Sequence, residues 1–469
     1  PGGFATCDRV NQMTKMLAAQ FLLLETAHES LLERIRLCRQ AQQSINLQYY
    51  LWRDDLSGLT LLNELVKASR RGVQVSLLLD DFHSSAVERL LRDLQRLPNF
   101  AVKLFNPLRH RRLRWLNYFL DFKRVNRRMH NKAMVIDNSM AIVGGRNVGD
   151  EYFGVHAGEL FSDLDVLVQG DVVRQIQQDW ASYWGCDLAV DIANIPGRSP
   201  TEAFLQRWQR HQQQIQVQQL RDYVLNDPLS TNLTQRQWIE AQANWVSDDP
   251  LKASIDRKPL RLVTQQMTRV LGQAKQQLRM VSPYFVPTSN GVKELEQLSE
   301  QGVDIQVLTN SLAATDVPAV HAGYQRSRRR LLMAGIKLYE LRRLEDTQEQ
   351  KKVLPYFRRS ATSLHAKTIT VDERQVFVGS FNFDPRSAQI NTEAGLVIAS
   401  ATIAKQINAM FANELPFKTF QPRLNRFYKL YWLDKSCVPA RRYYREPKAG
   451  VARRLMVWLT ARLPVEHLL

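Results

Sequence analysis

His130-Asn131-Lys132 with Asp137, and His365-Ala366-Lys367 with Asp372, repeat one spacing, H-x-K-x-x-x-x-D. Each copy runs on into a small-residue turn whose asparagine stands seventeen positions after the histidine, in Gly144-Gly145-Arg146-Asn147 and Gly379-Ser380-Phe381-Asn382. One copy alone would be a weak signal, but two copies with matching turns indicate an internal duplication built around one chemistry. Two imidazoles, two ammonium groups and two amides brought together suit attack on a phosphodiester. One histidine attacks phosphorus while Lys132, Lys367, Asn147 and Asn382 steady the charge on the non-bridging oxygens, and the other histidine protonates the departing oxygen. An imidazole serves either role because its proton affinity lies near neutrality. This chemistry calls for no metal and no cofactor.

A histidine with such a role needs its second ring nitrogen held by a carboxylate or carbonyl. Glu393, twenty-eight residues after His365, is the candidate in the second half, and Asp163 is its match in the first. Asp137 and Asp372 lie across a strand from their histidines and are expected to stabilise the turn rather than to act in the chemistry. Ser380 stands where the first copy has Gly145, so a hydroxyl near the phosphate is expected on one side only, and the two halves are not equivalent.

The elements that must position these groups repeat as well. In the first half 31–43 reads as a helix, 44–52 as a strand with alternating Ile45, Leu47 and Tyr49, 59–70 as a helix, and 73–79 as a strand after Gly72. The second half answers with 270–277, 278–286, 292–300 and, after Gly302, 303–308. The residues after each motif, 133–136 with 141–143 and 368–371 with 376–378, read as hairpins that present His and Lys at one strand's mouth. Strands alternating with helices predict α/β lobes with a mostly parallel or mixed sheet. The expected division is a first lobe at 1–190, an interlobe helical segment with linkers at 191–258 that includes the Gln-rich run 206–219, a second lobe at 259–430, and a basic amphipathic tail at 431–469.

With 469 residues the chain is too long for one ordinary core. Lys plus Arg number 64 against 46 Asp plus Glu, a net charge of +18, which points to a polyanionic partner, either nucleic acid or an anionic membrane surface. Cys7, Cys38, Cys186 and Cys437 are far apart and form no C-x-x-C pair, which argues against a zinc site or a dense disulfide framework. No apolar run approaches the roughly 18 residues of a spanning helix, so membrane association is expected to be peripheral. The sequence begins at Pro1, consistent with a removed leader or anchor, and Cys7 is a candidate for a lipidated start.

The chain resembles the phospholipase D superfamily, whose signature is H-x-K-x-x-x-x-D twice, over nearly its whole length. Within it the nearer likeness is to the bacterial cardiolipin synthase C type. That likeness is carried by Gln48-Tyr49-Tyr50-Leu51-Trp52 with Asp54-Asp55, by Arg127-Arg128-Met129-His130-Asn131-Lys132, by Phe161-Ser162-Asp163-Leu164-Asp165, by His321-Ala322-Gly323-Tyr324 and by Leu463-Pro464-Val465-Glu466. The resemblance implies two similar α/β/α lobes related by a pseudo-twofold axis around one shared active site. It implies a covalent phosphatidyl-histidine intermediate, and transfer of the phosphatidyl group to a hydroxyl of phosphatidylglycerol to give cardiolipin, with phosphatidylglycerol or phosphatidylethanolamine as donor. The setting it implies is the bacterial inner membrane.

Basic and aromatic residues interleave at 108–128, where Arg127, Arg128 and Trp115 are candidates for holding anionic headgroups while wedging into the acyl boundary. His321 and Tyr324 are candidates for the headgroup wall of the second lobe, and 451–469 reads as an interfacial amphipathic helix. Phospholipid substrates, and no nucleic acid, are the expected partners; a partner protein or a homo-oligomer is left open. The competing readings are lipid hydrolysis, which differs only in the acceptor, and, more distantly, metal-independent nuclease activity, which the basic charge favours but the clustered aromatics do not need.

Overall fold

The apolar, β-branched runs expected beside each motif fold as strands of one sheet in the computed structural model, which describes residues 16–154, 161–197, 237–343 and 363–460, with 206, 209 and 210 besides. Cys7, the Gln-rich run at 206–219 apart from those three residues, and 463–466 lie outside the described residues. In chain order the strands are β1 (Leu17–Leu24), β2 (Ser44–Tyr49), β3 (Gln74–Asp80), β4 (Phe100–Phe105), β5 (Ala133–Ile136), β6 (Met140–Gly144), β7 (Phe161–Ser162), β8 (Asp165–Gly170), β9 (Ala189–Asp191) and β10 (Ile239–Ser247). They continue with β11 (Gln277–Val281), β12 (Asp304–Asn310), β13 (Lys337–Leu341), β14 (Ser363–Leu364), β15 (Thr368–Val371), β16 (Gln375–Gly379), β17 (Ala394–Ala399), β18 (Thr419–Leu424), β19 (Leu430–Asp434) and β20 (Arg441–Tyr443).

Among the described residues, eighteen of these strands join edge to edge in one sheet. Its pairings run β4-β3-β2-β5-β6-β8-β1 through the first lobe. The second lobe repeats them in mirror order as β10-β17-β16-β15-β11-β12-β13. β1 pairs antiparallel with β10 along the seam. β2, β3 and β4 run parallel, as do β11, β12 and β13, and in each half the hairpin bearing the motif is antiparallel, giving the mixed sheet expected. The duplication is thus a pseudo-twofold arrangement whose axis passes between β1 and β10. That interval of the chain was expected to be helical. Residues 239–247 are strand instead, because the second lobe needs a counterpart of β1 to close its sheet edge.

Helices cover both faces. Leu31, Ile35, Leu62 and Leu65 pack onto one face of the first lobe, and Met267, Leu271, Leu295 and Leu331 do the same in the second. The opposite face has one core shared by both lobes, in which Phe21, Val135 and Val168 meet Val376, Leu396 and Ile398. Burial on both sides is why the motif strands are apolar or β-branched at every position. The first helix of the second lobe spans Val263–Leu271 and stops at Gly272, earlier than the expected 270–277. Residues 273–276 instead form the turn into β11.

Asp137 and Asp372 build those turns. Asp372 accepts hydrogen bonds from the amides of Lys275 at 2.8 Å, Gln276 at 2.8 Å and Gln277 at 2.9 Å, and Asp137 accepts from Gln42 at 2.9 Å, Gln43 at 2.7 Å and Ser44 at 2.8 Å. Each aspartate ties the helix-to-strand turn to the far end of the motif hairpin, at positive φ, which the short acidic side chain tolerates. Partial burial would raise the Asp372 carboxyl, but the three amides outweigh it and hold it below its ordinary value. Its contribution to stability is therefore present above the ordinary carboxylate range, near pH 4, and fades as the pH falls through the lowered value. Asp372→Ala should lower the unfolding free energy by about 1–2 kcal/mol at neutral pH, since it leaves three amides without their acceptor. The deficit should shrink below about pH 4, and urea titrations across pH measure both effects.

Candidate active site

The two motifs are wired crosswise. Met129, just before His130, forms a parallel bridge with Thr392, just before Glu393. Ser162, just before Asp163, pairs in parallel with Leu364, just before His365, where the two-residue strands β7 and β14 meet. His130 N donates to Thr392 O at 2.9 Å and His365 N donates to Ser162 O at 2.8 Å. These two pseudo-symmetric bridges cross between lobes, and each delivers a histidine of one lobe to a carboxylate of the other. His130 Nδ1 lies 2.9 Å from Glu393 Oε2, and His365 Nδ1 lies 2.5 Å from Asp163 Oδ2. The match by sequence order, Asp163 with His130 and Glu393 with His365, is corrected by this pairing: the partners are exchanged. Both contacts are made through Nδ1.

Both lysines are buried and fold back on their own motif. Lys132 Nζ donates to His130 O at 2.5 Å, and Lys367 Nζ donates to His365 O while lying 3.1 Å from His365 Nδ1. Burial, with each other's charge added for Lys132, pushes both ammonium groups below their ordinary proton affinity. Burial first, then Lys132, Lys367 and Arg386, holds His130 well below the usual imidazole range, and burial with Lys367 brings His365 to about 4. Each histidine thus feels the lysine of the other lobe, so the four groups share one centre.

The two carboxylates differ. Burial raises Glu393 to about 7, and its oxygens accept from Ser380 Oγ at 2.5 Å and Ser387 Oγ at 2.7 Å. Burial acts on Asp163 in the same direction, but His365 and Lys367 overcome it and hold that carboxyl down to about 2. A Cβ on Gly145 would stand 2.3 Å from Asp163 Oδ1, so the short aspartate packs where Ser380 packs against the longer glutamate. The expectation that Ser380 offers its hydroxyl to phosphate is corrected: that hydroxyl is engaged by Glu393 and by the amide of Ala394.

Asn147 donates to Tyr152 Oη at 3.0 Å. The buried Oδ1 atoms of Asn147 and Asn382 have no hydrogen-bond partner among the described residues, so each amide has a spare acceptor. Tyr50 meets the His130 ring edge-on with centroids 5.0 Å apart, and Tyr152 meets His365 in the same way at 5.2 Å. From Tyr50 the rings continue to His83 at 5.3 Å, Phe82 at 4.6 Å and Tyr118 at 6.2 Å, on the short helix Leu116–Leu120. Sequence reasoning missed Tyr50, Tyr152, His83 and Ser387 as neighbours of the site. Their spacing carries no signal, since they arrive from different elements.

Three of the proposed headgroup residues sit elsewhere. Arg128 is fully buried beside Asp80, Nη1 to Oδ1 3.3 Å, and anchors the motif strand internally. Tyr324 is buried and donates to Glu340 at 3.1 Å, and His321 is buried 3.5 Å from Glu446, in a network closed by Arg328. These two therefore dock the C-terminal segment, because a buried Arg-Glu network must satisfy its own charges. Arg127 is half-buried and donates to Lys252 O at 2.8 Å. Trp115 is exposed, beside exposed Phe119 and Leu120. The helix Val451–Thr460 buries Val457 and anchors Arg453 on Ala313 O at 2.9 Å, while Leu455, Trp458 and Leu459 stay exposed. No helix among the described residues is long and apolar enough to cross a membrane.

A family model described as "Cardiolipin synthase, PLD-like domain" matches residues 34–184 and 267–415, the two halves that supply the crossed pairs. The chain belongs to the cardiolipin synthase family of the phospholipase D superfamily. It is an enzyme of the phosphatidyltransferase class. It is 40% identical over 464 residues to "Cardiolipin synthase C" of Escherichia coli strain K12, covering 95% of each chain. An uncharacterized protein of Helicobacter pylori strain J99 is 31% identical over 394 residues, covering 82% of this chain and 77% of that one. Among solved structures, phosphatidylserine synthase of Haemophilus influenzae Rd KW20 superposes with a TM-score of 0.61 over 97% of both chains at 14% identity, a likeness of fold alone.

Proposed function

We infer that the enzyme makes cardiolipin, transferring a phosphatidyl group through a histidine adduct to a hydroxyl of phosphatidylglycerol. The observation that carries this reading is the crossed pair of His-carboxylate contacts, which leaves two unlike imidazoles around one buried, cationic centre. The glutamate beside His130 is neutralised in part by burial and capped by two serines, so that ring stays neutral and nucleophilic. Asp163, held ionised, favours the proton-bearing form of His365 once a phosphate anion offsets the lysines. His130 Nε2 then bonds to phosphorus as the bond to the leaving alcohol breaks, and His365 gives that alcohol its proton. In the second half-reaction His365 takes the proton of the acceptor hydroxyl, whose oxygen bonds to phosphorus and frees His130. Lys132, Lys367, Asn147 and Asn382 steady the phosphoryl oxygens.

The released alcohol is glycerol when phosphatidylglycerol donates and ethanolamine when phosphatidylethanolamine does. The enzyme works at the surface of the bacterial inner membrane, peripherally, with phospholipids rather than nucleic acid as partners. Its exposed aromatics meet the bilayer. Labelled phosphatidylglycerol vesicles, with and without phosphatidylethanolamine, followed by lipid chromatography test the proposal. Labelled cardiolipin is the expected product. Phosphatidic acid as the sole product would establish hydrolysis instead.

A further inference from the structure

Beside the Asp81–Ala86 turn, whose Ser85 is among its lining residues, lies a cavity of about 920 Å³. Arg89, Arg109, His110, Arg111, Arg112 and Arg114 line it, and Glu88 is the one carboxylate among its lining residues. Two of the arginines are fixed in place: Arg111 pairs with buried Asp81 and with Glu88, and Arg114 donates to Asp81 O at 2.6 Å. Glu88 is further engaged by Arg92 at 2.9 Å. Arg89 and Arg112 are exposed and have no ion pair among the described residues, so the cavity carries uncompensated positive charge. None of His130, Lys132, His365, Lys367, Asp163 or Glu393 lines it. Next to it the chain presents Leu113, Trp115, Phe119 and Leu120, with Phe119 79% exposed and Trp115 57%.

A phosphate-sized anion with several guanidinium donors available, beside an apolar ledge open to the outside, matches the two ends of one molecule. We propose that this cavity binds the phosphate of an anionic phospholipid that is not being turned over, while its acyl chains lie along Trp115 and Phe119. The site holds the enzyme at an anionic bilayer with Tyr118, and the run of rings leading to His130, at the interface. The proposal deepens the lipid reading given above and rests on it for the choice of ligand. Duplex nucleic acid, with its bases stacked inside, would use the arginines but would leave the exposed aromatic ledge in water.

Flotation with vesicles of phosphatidylcholine, alone or mixed with phosphatidylglycerol, tests it with the full chain. The parent and His130→Ala should float equally with the anionic vesicles. Arg89→Glu/Arg112→Glu should bind them on the order of 10- to 100-fold more weakly, as expected for two charges reversed at an anionic surface. A charge-matched control at exposed cations outside the cavity, Arg70→Glu/Arg96→Glu, should lose clearly less. Unchanged binding by the first double variant overturns the proposal, as does an equal loss in the control. Inorganic phosphate bound through the same two arginines at millimolar concentration, with parent and double variant floating equally, would make the cavity a free-phosphate site, and tighter capture of duplex DNA through those arginines would make it a nucleic-acid site; either overturns the lipid assignment. Flotation needs no turnover, so a failed transfer assay leaves this result readable.

Discussion

His130→Ala and His365→Ala should each reduce phosphatidyl transfer by about 10³-fold or more, because either change removes a group that makes or breaks a bond at phosphorus. The two variants should nevertheless differ in kind. With a p-nitrophenyl phosphodiester the leaving group departs without a proton, so His365→Ala should still release one burst equivalent of nitrophenolate and accumulate an adduct on His130. His130→Ala should give no burst. The opposite pattern would exchange the roles of the rings, and full lipid turnover by either variant would end the two-histidine mechanism altogether.

Removing the carboxylates should reproduce these defects in the opposite lobe. Glu393→Ala, a change in the second half of the chain, should behave as a weaker His130 variant, with adduct formation slowed by about 10²- to 10⁴-fold. Asp163→Asn should behave as a weaker His365 variant, forming adduct from the activated diester but failing to use natural lipid leaving groups. Burst kinetics on both substrates separate the cases. If Glu393→Ala instead impaired proton donation while leaving the burst intact, the contact at 2.9 Å between His130 and Glu393 would not be the working one. Asp163 also ties its ionisation to the fold. Its depressed affinity for protons means that its contribution is full above about pH 4 and is lost as the pH falls toward 2.

Much of this frame is legible in the residues because it is local. The period-2 runs at Ile45, Leu47 and Tyr49, the capping glycine at Gly72 and the paired hairpins after each motif all follow from contacts within a few residues. The turn role of Asp137 and Asp372 follows from spacing alone, since each lies at the far end of a strand from its histidine. What could not be read is tertiary. Which carboxylate faces which ring depends on the two short bridges, Met129 with Thr392 and Ser162 with Leu364, that no periodicity announces. His321 and Tyr324 read as a headgroup wall because the helix around them is rich in arginine. Their counter-charges, Glu340 and Glu446, come from separate elements and bury the cluster. The Gly145-to-Ser380 difference was visible, but its reason, a shorter carboxylate on one side and a longer one on the other, appears only when the partners are seen in place.

The exchange of carboxylates between lobes makes the duplication obligatory. A single lobe, cut free, would carry a histidine without its anchor and a carboxylate with no ring to hold. Such a half could complete itself only against a twin, each lending its acid to the other. Fusion of the two copies into one chain then frees the halves to diverge, since aspartate can serve one imidazole and glutamate the other without either change being imposed on both.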